Sequence, residues 1–213
     1  MKEKTINGLG VLLFLVAGDT AVANDEFAPA PGRPQVSVSD MQVFPNGPDV
    51  VGVSVLTRYM PYVDAKISTT GLAANGAYSW WWVVFNRPEF CVDGCGLDDL
   101  PVGATPISNG DPRVQASLLW GTGFVSDGTG AAEVTAHLDR SKPPGEVRFG
   151  PGLRRPRHAD IHVALRSHGP AVAGEAADQI GRFDGGCTAE EIAAMMCPNT
   201  NVQFSVHTPQ GTP

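Results

Sequence analysis

Along most of the chain, apolar and polar residues alternate with period two in short runs that stop at turn formers. Residues 36–44 alternate and end at Pro45-Asn46-Gly47-Pro48; 51–57 and 63–69 follow, with Gly71 closing the second. Similar runs occupy 78–86, 114–125, 132–139, 160–166 and 202–207. A strand sends successive side chains to opposite faces, so alternation between Gly, Pro and Asn clusters predicts antiparallel strands. One segment departs from this pattern. Thr188 followed by Glu191 is a capping box, and Cys197-Pro198 ends the helix that it predicts over 189–196. About eight strands with one short C-terminal helix predict an all-β fold, an antiparallel Greek-key β-sandwich.

The N-terminus reads differently. Lys2 and Lys4 precede an apolar run at 11–17, and Ala21-Val22-Ala23 places small residues where a signal peptidase cuts. The run is far shorter than the roughly 20 apolar residues that span a bilayer. Residues 1–23 are therefore expected to be a signal peptide. Residues 24–35, with Pro29, Pro31 and Pro34, are expected to be a flexible tail, 36–208 the folded domain, and 209–213 a disordered end. The product would be secreted or periplasmic, with no transmembrane segment in its mature form. Its net charge of −7 lacks the basic footprint of a nucleic-acid binder. Export also bears on the four cysteines, Cys91, Cys95, Cys187 and Cys197, which predict two disulfides. Pairing within each neighbouring couple would close two Gly-rich or polar loops, and crossed pairing is the alternative. A four-thiolate zinc site is the weaker reading, because Cys-x3-Cys and Cys-x9-Cys are loose spacings.

The densest candidate chemistry lies around Ile161. His158, Asp160, His162, Arg166 and His168 share one parity, so a regular strand carries them on one polar face. Asp160 and His162, about 7 Å apart at Cα, would suit zinc or copper, with His137 or His207 as a further ligand from a neighbouring strand. That arrangement requires Val202, Phe204 and Val206 to face inward and His207 outward. The same alternation is also what any half-buried sheet shows to water. Tyr78, Trp80 and Trp82 share a face of an almost wholly apolar strand. They read either as a central strand buried on both sides or as an exposed row that stacks on sugars. Asp93, Asp98 and Asp99 surround glycines in the first cysteine loop, a weak calcium pattern or a solvated acidic turn. Arg154, Arg155 and Arg157 form a basic loop that would suit an anion. Nucleophilic catalysis has little support: Ser167 and His168 are adjacent and so face opposite ways, and no Gly-x-Ser-x-Gly elbow is present.

Two short stretches resemble the secreted CHRD-type β domains. One is Ala159-Asp160-Ile161-His162 with His168-Gly169-Pro170-Ala171 and Gly174; the other is Thr70-Gly71-Leu72 before an aromatic strand. The resemblance implies an exported β domain. It departs where Asp160 replaces the first histidine of the family's His-x-His, and where six residues separate His162 from Gly169. The phrase Trp80-Trp81-Trp82-Val83-Val84-Phe85-Asn86 before Cys91 is similar to an uncharacterised group of bacterial secreted proteins, which implies no activity. The leading functional expectation is an exported, non-enzymatic binding or structural domain for an extracellular or periplasmic ligand, with Asp160, His162 and Arg166 as its surface. The alternatives are a metal-dependent enzyme on the same face and a carbohydrate-binding module on Tyr78, Trp80 and Trp82.

Overall fold

A computed structural model describes residues 32–210 apart from 46, 48 and 195. The expected signal peptide, most of the Pro-rich tail and the last three residues lie outside the described residues. All eight expected strands are present: β1 (Gln35–Val43), β2 (Val50–Arg58), β3 (Tyr62–Thr69), β4 (Gly76–Phe85), β5 (Ala116–Val125), β6 (Ala132–Asp139), β8 (Asp160–Pro170) and β9 (Thr200–His207). A ninth, β7 (Val147–Phe149), is a three-residue edge strand, too short to leave a period in the sequence. Two short helices complete the order. α1 (Ala176–Gly181) was not anticipated; α2 (Ala189–Ala193) carries the expected capping box, with the Glu191 backbone N–H donating to Thr188 Oγ1.

The strands form one antiparallel sheet in the order β6-β3-β2-β1-β9-β8-β4-β5-β7. This continuous sheet curls like a half-barrel until β5 comes against β6. Its concave side holds the main core, including Ile67, Trp80, Trp82, Leu119, Leu138 and Val163. Each large apolar side chain sealed there contributes roughly 1.5–3 kcal/mol over leaving it in water.

β4 lies between β8 and β5 and is buried on both faces, which decides between the two readings of its aromatics. Trp80 and Trp82 are 0% exposed in the concave core, Tyr78 is 2% exposed, and Trp81 packs on the convex side against the Phe183 ring. The exposed sugar-stacking row is therefore corrected: none of its three rings reaches solvent. Two glycines of β5 make this density possible. A side chain on Gly121 would collide with the Trp80 and Trp82 indoles, and one on Gly123 with Ile180 of α1.

The second correction concerns β9. Gln203, Ser205 and His207 are 2%, 1% and 1% exposed, whereas Phe204 and Val206 stand on the convex side. The orientation is the reverse of that expected from hydrophobicity. It is stable because β2 places Ser54 and Arg58 on the same concave surface, so the polar groups satisfy one another. His207 Nε2 lies 2.8 Å from Ser54 Oγ and Nδ1 lies 2.9 Å from Ser37 Oγ. The Arg58 guanidinium donates to the carbonyl oxygens of Pro156, Ala159 and His207 at 3.0, 2.7 and 2.6 Å.

Candidate functional site

β8 carries Asp160, His162, Arg166 and His168 on its convex face, as its alternation predicts, but that face is not open to water. Two loops cover it, and each is pinned by a disulfide. Cys91 pairs with Cys95 and Cys187 with Cys197, at Cα separations of 5.1 and 6.3 Å, which is the local pairing rather than the crossed one.

The second loop seals the far half of the strand. The Arg166 guanidinium lies 4.0 Å over the Phe183 ring and donates to the Phe183 carbonyl and to Asn201 Oδ1, both at 2.9 Å. His168 is 3% exposed beneath Gly185, with Nε2 2.7 Å from Ser79 Oγ. Burial, reinforced by the Arg166 charge, depresses its pKa to about 4, so the ring is neutral. Arg166, expected to meet a ligand, instead clamps this loop.

The first loop leaves an opening over the other half. Here the convex face forms a groove of about 490 Å3, within the size range of small-molecule sites. Val83 and Phe85 of β4 and Phe204 and Val206 of β9 line its base, and the Phe44-Pro45 turn and the loop residues Leu97 and Ile107 form its walls. His162 lies in the groove with its ring 5.0 Å from that of Phe85. Its Nε2 is 3.1 Å from Asp160 Oδ1; both atoms are sealed from solvent and neither is aligned for a hydrogen bond. Asp98 stands exposed beside them.

A larger cavity, about 900 Å3, opens between residues 99–116 and 150–154, around Asp99, Asp111, Gly150 and Arg154. Its acidic groups are already occupied. Asp99 accepts from the Val92 and Gly96 backbone at 3.1 and 2.9 Å, and Asp111 pairs with Arg113. The Arg154 guanidinium in that cavity is unpaired among the described residues but exposed, whereas the groove over β8 holds an unspent imidazole whose Nε2 is sealed from solvent and is the better candidate.

The proposed metal ligands are not gathered. Asp160 and His162 are neighbours, His207 faces the concave side, and His137 stands exposed on β6 with Nδ1 2.7 Å from Asp64 Oδ1. Asp99 braces its own loop by accepting from the Val92 and Gly96 backbone, and Asp93 and Asp98 are exposed; the three are not grouped to hold a cation. Among the described residues no group of three or more His, Cys, Asp or Glu is placed to hold a metal ion. Arg155 is paired with Glu89 at 3.1 Å, and Arg157 donates to the Arg33 carbonyl, which occupies two of the three arginines of the basic loop.

Sequence reasoning found Asp160 and His162 but missed Phe44, Leu97, Ile107 and Phe204, which complete the groove from distant parts of the chain. The one available signal was the apolar set on β9, read with the wrong face inward. Compared with known proteins, the chain matches no protein-family model and no curated protein.

Proposed function

We propose that this is an exported binding domain whose site is the groove over β8. The observation that carries it is an apolar groove containing an imidazole that makes no hydrogen bond within the described protein. Buried polar groups are ordinarily satisfied, and one left unspent in a concave apolar surface is the usual mark of a ligand site. Two local disulfides support export, since such bonds persist outside the reducing cytoplasm. We read the β1-β2-β3-β6 and β4-β5-β8 halves of the curled sheet as the facing layers of a flattened sandwich, a reading supported by the approach of β5 to β6 and the shared core.

The test is fragment titration by NMR on the full chain, using small apolar compounds with varied polar heads. The largest shifts should fall on the methyls of Val83 and Val206 and on the His162 ring. Ala164→Leu, which plugs the groove floor, should abolish them while the rest of the spectrum is retained. Shifts clustered elsewhere, or unchanged binding by the plugged variant, would overturn the assignment.

A further inference from the structure

The chemistry of the groove restricts what it would hold, on the reading that the groove is the binding site. Among the described residues two ionisable side chains line it, His162 and Asp98. The Asp160 carboxylate lies 3.1 Å from His162 Nε2. The two atoms are not aligned for a hydrogen bond, but the negative carboxylate beside Nε2 favours the ring hydrogen on that nitrogen and leaves Nδ1 as a lone pair. Among the described residues nothing donates to that lone pair. Asp98, also an acceptor, is exposed and joins no ion pair among the described residues.

Among the described residues no lysine or arginine lines the groove. The Arg166 guanidinium, on the same face, reaches the groove-lining Asn201 but is spent on Asn201 Oδ1 and the Phe183 carbonyl, and Arg58 is on the concave side with its guanidinium directed to three backbone carbonyls. Asn201 adds one amide, whose oxygen is taken by Arg166. A ligand head placed here meets two acceptors, the Asn201 amide N–H and a negative charge, within a protein whose net charge of −7 attracts cations at longer range.

We infer that the groove takes a small arylalkyl or alkyl amine, the hydrocarbon part against Val83, Phe85, Phe204 and Val206 and the ammonium donating to His162 Nδ1 and facing Asp98. An anionic head would oppose Asp98 and find no donor at the imidazole. A hydroxyl would satisfy the imidazole without the charge attraction.

Calorimetric titration of the full chain with phenethylamine, phenethyl alcohol and phenylacetate tests this, because the three differ mainly in the head. Phenethylamine should bind tightest and phenylacetate at least tenfold more weakly, about 1.4 kcal/mol at this temperature. Asp98→Asn, at an exposed position, should lower amine affinity about threefold to fivefold and leave the alcohol unchanged, the scale of an exposed ion pair. An alcohol or carboxylate that binds as tightly as the amine overturns the amine inference but leaves the groove as the site. Failure of all three to bind, or equal binding by Ala164→Leu, overturns the groove itself.

Discussion

At the scale of single residues, two histidines show how the same side chain is spent differently. His207 is fully committed: both ring nitrogens meet serine hydroxyls within the concave core. Removing one partner leaves a buried nitrogen unsatisfied, so Ser54→Ala should cost about 1–3 kcal/mol in urea unfolding. A loss under a few tenths of a kcal/mol would mean that the pair is not formed. His162 is uncommitted, and its substitution is expected to divide differently. His162→Phe should change stability little, since the ring already lies against Phe85, yet it should weaken amine and alcohol binding together. This pair of outcomes separates a residue kept for the fold from one kept for a ligand.

At the scale of elements, the glycines of β5 and the two pinned loops set the shape of the convex face. Gly123→Ala would push against Ile180 of α1, whose carbonyl also accepts from Trp120 Nε1 at 2.9 Å. Forcing a methyl into such a contact should cost about 1–3 kcal/mol by thermal unfolding. Replacing Cys187 and Cys197 together by serine should cost roughly 3 kcal/mol, from the entropy of a ten-residue separation, and should expose His168 to solvent exchange. The strands were legible because period two survives in a single sequence. Their facing was legible only where the interior is apolar: β8 placed Ile161, Val163 and Leu165 inward as expected. β9 did not follow, because the concave surface beside it is built from Ser37, Ser54 and Arg58, and a polar residue there is an inside residue. Asp160 and His162 could be picked out by local alternation. The groove around them could not, since Phe44, Leu97, Ile107 and Phe204 meet only through pairing between strands far apart in sequence.

At the scale of the whole molecule, burial of neutral histidines ties stability to pH. The His168 and His207 pKa values are depressed to about 4, His207 by burial and then by the Arg58 charge. The unfolded chain binds these protons near the ordinary histidine pKa of about 6.5, while the folded chain refuses them until about pH 4. Stability is therefore full above about pH 6.5 and falls as pH drops toward 4, by roughly 3 kcal/mol for each ring. Urea midpoints measured from about pH 7.5 to 4.5 should show the fall, and His168→Gln should remove about half of it. A flat profile would contradict burial of the neutral rings. The curled sheet thus supplies a rigid concave core, and its two disulfide loops divide the convex face into a sealed half and an open one. Whether the open half is the site is tested most directly by intermolecular NOEs in the complex with phenethylamine. The account predicts contacts from the ligand ring to the methyls of Val83 and Val206 and to the Phe204 ring; contacts only to the cavity around Asp99 and Gly150 would contradict it.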